Sequence, residues 1–283
     1  MLIPGFRREN EEDENGGERS VPKETAVFVV MVVTVAMMFM VTQPLYRLLG
    51  KFSFMVVEML LLVPAMVFLI GEKYNWKQVL RLNGISWYLG LVTLIMSLGV
   101  SVLFDEIDRL VALIYTMPAE VSEAVIKEIQ IDNFPDFLSL TLGAVLAAAI
   151  VEEILFRGFL QRTLEKRRGA TSAVTTVSLL FALIHLNPWW VIQIILLAFL
   201  LGVLSWRADS IVPPMIIHIV NNALGLWSAN IDLESIPYYT LGRHVSPIFL
   251  IPAIFITIWS LKQFFRLTAH LHPGEKVDYI IDD

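Results

Sequence analysis

The sequence predicts an all-α, polytopic membrane protein with about eight transmembrane helices. Three observations carry that prediction. Hydrophobic residues make up 56% of the chain and charged residues only 17%, with a mean hydropathy of +0.67, whereas a soluble domain carries about a quarter charged residues. Apolar runs close to or above the ~20 residues that a helix needs to cross a bilayer recur from end to end. None of them alternates residue by residue as the strands of a membrane barrel do.

Taken in order, residues 1–24 are polar and acidic, most strongly over Glu9–Glu18, and read as a disordered cytoplasmic tail. They lack the basic stretch and cleavage site of a secretory signal, so the first span is expected to stay in the mature chain. An integral-membrane domain is expected over 25–270, with its polar motifs in a core at 137–228 and a cytoplasmic C-terminal tail at 271–283. The expected spans are 25–42, 52–70, 85–104, 137–156, 171–186, 189–206, 211–228 and 247–265. The fifth is short, and helical turns beside it would extend it. Residues 105–136 form the longest interhelical segment, whose patterns IDRLVALIYTM and AEVSEAVIKEI predict helix lying along the outer surface. Gly169 is a natural helix stop between the fourth and fifth spans. The chain has no cysteine, which removes disulfides and thiolate chemistry.

Orientation follows from lysine and arginine. With eight spans the termini share a side with the loops after helices 2, 4 and 6, and sixteen of the 21 basic residues fall there. That is the positive-inside pattern, so both termini are expected in the cytoplasm and the chain in the plasma membrane.

The most informative residues are Glu152, Glu153 and Arg157, set in the otherwise apolar run SLTLGAVLAAAIVEEILFRGFL. Ionisable groups at membrane depth are costly and usually mark function. One arginine neutralises only one of two glutamates. Glu153 and Arg157 are i and i+4 with the acid first, the favourable order for a helical pair, which leaves Glu152 free, about 100° around the axis. If Gly169 is the turn of a helical hairpin, equal rise along both arms brings Glu152 level with His185 and Arg157 level with Phe181. His218 and Asn222 are also i and i+4, so they share a helix face, although Asn221 is an equally placed amide. These residues predict a polar site on helices 4, 5 and 7, in the cytoplasmic half of the membrane. Glu58, inside the second span, is unassigned: it either pairs with a buried group or lines the cavity.

Glu152–Arg157 fits EExxxR, Phe181–His185 fits FxxxH and His218–Asn222 fits HxxxN. Together and in this order the three motifs resemble the CAAX protease and bacteriocin-processing family, which includes the Ras-converting CAAX endopeptidases. The resemblance implies a glutamate-type intramembrane endopeptidase without a cofactor. Glu152 would be the general base, on a water held with His185. His218 and Asn222 would stabilise the oxyanion, and Glu153, Arg157 and Phe181 would support them. The substrate would be a membrane-associated peptide or lipidated protein, with loss of the C-terminal tripeptide of a prenylated CAAX protein as one form of the reaction. Other branches of the family have immunity roles. The expected surroundings are the lipid bilayer; no nucleic acid is expected.

Two other readings stand beside this one. The glutamates and histidines could bind zinc, although no HExxH spacing is present. A non-enzymatic membrane immunity protein, scaffold or transporter is the second, because buried Glu and His also serve proton relays. The repeated halves and interrupted helices of transporters are not seen in the sequence.

Overall fold

The computed structural model describes residues 21–231 and 236–272. Most of both expected tails, 1–20 and 273–283, lies outside the described residues.

The chain opens with a helical hairpin. Helix α1 (Glu24–Leu49) and helix α2 (Ser53–Gly71) pack along each other across a single 3-10 turn, in which Gly50 takes φ +57°. A short helix α3 (Trp76–Val79), capped by the Asn75 side chain, leads to α4 (Trp87–Ile114), capped by Ser86. Helix α4 runs ten residues past the expected span. The IDRLVALIYTM segment therefore mostly continues a long helix, because its apolar side extends the stripe already buried by α4. AEVSEAVIKEI does form a separate helix, α5 (Ala119–Ile129), with no buried residue.

The long helix α6 (Phe134–Arg168) carries the first motif. Asn133 caps it by accepting from the Asp136 amide at 2.9 Å, and Pro135 sits in its first turn. Two stretches within it, Thr141–Ala147 and Ile154–Gln161, are π-helical, flanking an α-helical segment that contains both glutamates. Wide turns of this kind recur at functional sites. Gly169, at φ +81°, makes the turn into α7 (Ala170–Ile184). Then follow α8 (Val191–Ala208) and α9 (Val212–Asn230). A small hairpin, β1 (Thr240–Leu241) and β2 (His244–Val245), precedes α10 (Pro247–Leu267). That hairpin was not expected from the sequence.

The chain is thus helical with almost no strand among the described residues. Among the described residues five stretches are long and apolar enough to cross a membrane: Glu24–Gly71, Trp87–Ile114, Phe134–Arg168, Val191–Ala208 and Pro247–Leu267. The first contains both α1 and α2. Helix α7 is apolar but shorter, and α9, diluted by His218, Asn221, Asn222 and Asn230, is not among the five.

Four contacts fix α6 in place. At one end Lys51 Nζ, in the α1–α2 turn, donates to Asp136 Oδ2 at 2.7 Å. Along its side α2 comes so near that a Cβ on Gly143 would lie 2.6 Å from the Met55 nitrogen. Farther along, the Phe68 and Phe159 rings meet edge to face at 6.0 Å. The two helices are therefore parallel. At the other end the backbone of Leu80 lies flush on Gly158, where a Cβ would stand 2.7 Å from the Leu80 oxygen.

Candidate active site

Helix α6 presents a polar stripe: Glu153, Arg157, Gln161 and Glu165 follow one another at four-residue intervals. The first three have no solvent exposure. Burial of this kind is tolerated only when partners are supplied, and they are. Arg157 Nη1 donates to Glu153 Oε1 at 2.8 Å, and Arg157 Nη2 to the Ala198 carbonyl of α8 at 3.2 Å. The guanidinium also lies over the Phe181 ring, 4.6 Å from its centroid. The levelling of Arg157 with Phe181 across the Gly169 hairpin is what the count along the two arms predicted. Gln161 repeats the pattern one turn on, donating to the Gly202 carbonyl at 2.9 Å and to Glu165 Oε1 at 2.7 Å.

His218 enters from α9 as a wedge between the two glutamates. Its Nδ1 is 2.9 Å from Glu153 Oε1, and its Nε2 is 3.8 Å from Glu152 Oε2. The carboxylate of Glu153 accepts only, so Nδ1 carries the proton of that bond. The gap to Glu152 is too long for a direct hydrogen bond; it is a charge contact when the imidazole is protonated. Adjacent positions on a helix point about 100° apart, and one imidazole with nitrogens on both edges spans that angle.

His185 stands at the C-terminal cap of α7, where the helix has already ended at Ile184. Its Nδ1 lies 2.7 Å from the Phe181 carbonyl. A carbonyl can only accept, so Nδ1 bears the hydrogen and Nε2 keeps a free lone pair. The ring packs on Phe181 with centroids 4.6 Å apart, and Phe181 meets His218 at 6.0 Å and Phe156 at 5.0 Å. Phe181 is thus a common wall for Arg157, His185 and His218. The equal rise expected of both hairpin arms does not hold over their full length, because the Ile154–Gln161 stretch is π-helical and its hydrogen bonds close over five residues.

Asn222 Nδ2 donates to the Ala144 carbonyl, in the first π-helical stretch, at 3.1 Å. Its second N–H is left for another acceptor. Glu152, Glu153, Arg157, Phe181 and His218 are gathered in one cluster, with His185 packed on Phe181 and Asn222 one turn along α9 from His218. Among the described residues no group of three or more His, Asp or Glu side chains is arranged to hold a metal ion.

Residues 134–224 match the family model described as type II CAAX prenyl endopeptidase, Rce1-like. The motif-bearing segment is Rce1-like. The match covers all three motifs and bears out the resemblance that they carry. No curated protein and no solved structure matches the chain.

A second buried polar cluster, which the sequence did not reveal, joins the Rce1-like segment to the chain before it. Arg81, 1% exposed and at φ +53°, donates through Nη1 to Glu165 Oε1 at 2.9 Å and through Nε to Asp209 Oδ1 at 3.1 Å. Arg162 binds the same Asp209 oxygen. Asn83 donates to the Asp209 carbonyl at 2.6 Å. In the sequence these residues look like ordinary charges and amides near the ends of the apolar runs. The cluster ties the α3–α4 loop to the end of α6 and to the α8–α9 turn.

Proposed function

We propose that this chain is an intramembrane endopeptidase that uses Glu152 as general base. The observation that carries the reading is the wedge of His218 between Glu152 and Glu153, inside a segment that matches an endopeptidase family. With Glu153 neutralised by Arg157, Glu152 is the site carboxylate left for chemistry on a water.

The steps follow from the donors and acceptors. A water between Glu152 and the lone pair on His185 Nε2 gives its proton to Glu152 as its oxygen attacks the peptide carbonyl carbon. The developing oxyanion accepts from the remaining N–H of Asn222 and from protonated His218. When the tetrahedral intermediate collapses, the C–N bond breaks and Glu152 returns its proton to the leaving nitrogen. Glu153 and Arg157 hold His218 and the helix; Phe181 keeps the histidines apart. The tie from Asn222 to Ala144 aligns α9 with α6 before substrate arrives, so little reorganisation is needed.

The basic-residue pattern supports reading the chain as eight spans with both termini in the cytoplasm. Glu152 and His218 are each about ten residues, roughly 15 Å of helix, from the basic cluster where Arg162 meets Asp209. That is about half of a ~30 Å hydrocarbon layer, a depth that supports reading the site as lying within the bilayer. A substrate for such a site is a peptide carried into the bilayer, and a lipidated C-terminus meets that requirement.

The test is cleavage by purified protein in liposomes. Farnesylated CAAX peptides and the same peptides without lipid are compared, with mass spectrometry of the products. Glu152→Ala and His185→Ala are expected to abolish cleavage. Asn222→Ala is expected to lower kcat by about 10²–10³ with little change in KM. Full activity in Glu152→Ala would remove the proposed base.

A further inference from the structure

Glu58 is the buried acid that this mechanism leaves unused. It is the lone ionisable residue in the apolar sequence of α2. Its Oε2 is enclosed and has no hydrogen-bond partner, and the same is true of Glu152 Oε2. The packing brings the two together. Helices α2 and α6 run side by side from the close approach at Gly143 to the Phe68–Phe159 contact. Glu58 and Glu152 both lie between those contacts, and Glu152 is the ionisable group that acts on Glu58 through space.

The charges around the pair do not balance. Glu153 is matched by Arg157. Glu152 is left with His218, Nε2 at 3.8 Å, and a share of the already paired Arg157, and among the described residues no cation is paired with Glu58. Helix α1, also packed on α2, carries its ionisable residues at its ends, as Glu24, Tyr46 and Arg47. From the end of α7 the site receives one ionisable group, His185, packed on Phe181. Three carboxyls therefore face one guanidinium and one nearby imidazole, so full ionisation leaves an uncompensated charge in a dry interior. Two carboxyls that share such a site do not both ionise.

We propose that Glu58 is a positioning residue of this site that shares one proton with Glu152, so that the pair carries a single negative charge at neutral pH. The proposal rests on the reading of Glu152 as base. With the shared proton on Glu58, Glu152 is the anion that faces the water, and the neutral acid beside it helps to keep that anion charged in a dry interior. When Glu152 takes the proton of the water, the pair becomes neutral. When that proton passes to the leaving amine, the single charge returns.

Two measurements separate this proposal from the protease reading. The first needs no substrate: infrared titration of the carboxylic-acid carbonyl band in reconstituted wild type, Glu58→Gln and Glu152→Gln. Wild type should show the band at neutral pH and Glu58→Gln should lack it. In Glu152→Gln it should disappear at a pH lower by about one unit or more, the usual effect of removing a close like charge. A band that titrates identically in wild type and Glu152→Gln overturns the shared proton. The second is the pH profile of kcat/KM. Glu58→Gln should shift the acid limb to higher pH, because an amide stabilises the Glu152 anion less than a carboxylic acid does, with KM unchanged and partial rescue in Glu58→Asp. An unmoved limb overturns the tuning role. If wild type cleaves nothing, the protease reading fails while the band titration still decides the pair. If Glu58→Gln does not fold, Glu152→Gln alone decides it.

Discussion

Replacing Glu153 by Ala is the sharpest test of how the site is held. Glu153 Oε1 receives two donors, Arg157 Nη1 at 2.8 Å and His218 Nδ1 at 2.9 Å, and neither carboxylate nor guanidinium reaches solvent. Removing the acid leaves a buried cation with only the Ala198 carbonyl and the Phe181 face. Breaking a buried pair from one side costs about 3–5 kcal/mol. The larger part of that cost comes from the stranded charge, so removing both charges should recover much of it. Glu153→Met with Arg157→Leu is therefore expected within about 1–3 kcal/mol of wild type, the remainder being the unmatched His218 N–H. Unfolding in mixed micelles, followed by tryptophan fluorescence, gives the ranking directly: wild type above the double variant, and the double variant above Glu153→Ala. A double variant no more stable than Glu153→Ala would refute the reasoning, because it would mean that the Arg157 charge is not what the protein pays to keep buried.

Gly158→Ala should destabilise by about 1–3 kcal/mol, the usual range for overpacking, because the new methyl meets Leu80 backbone rather than a side chain that can turn aside; thermal melting measures it. Arg81→Leu should cost about 3–5 kcal/mol by stranding Glu165, while leaving KM unchanged in the protein that folds. Single cysteines placed in the two terminal tails of this cysteine-free chain should react with an impermeant reagent only from the cytoplasmic side, and labelling of the C-terminal tail from outside would break the eight-span topology. Exhaustive chelation should leave cleavage unaltered; activity lost and restored by zinc would make the site a metal site and remove Glu152 as base.

Much of the fold is local physics, and that part is legible in the chain. Each long helix begins and ends within a few residues of an apolar run, apart from the long continuations of α1, α4 and α6, because backbone hydrogen bonds must close within the segment wherever lipid replaces water. The Gly169 turn, the i,i+4 pair of Glu153 with Arg157, and the levelling of Arg157 with Phe181 rest on helix geometry alone. The three motifs could be read for the same reason, since each is a spacing along one helix.

What only the tertiary structure decided lies across long separations in the chain. His218 reaches Glu153 over 65 residues, Asn222 reaches Ala144 over 78, and Arg81 reaches Asp209 over 128. No periodicity encodes such pairs, because each depends on which helices pack and at what depth. The π-helical stretches of α6 are equally hidden: their residues are ordinary helix formers, and the wider turns accompany neighbours that press against Gly143 and Gly158. The sequence by itself determined which residues are too polar for the bilayer. The packing determined which of them hold one another, leaving Glu152 and Glu58 without hydrogen bonds at their buried Oε2 atoms, since a buried charge is defined by its partners and partners come from other helices.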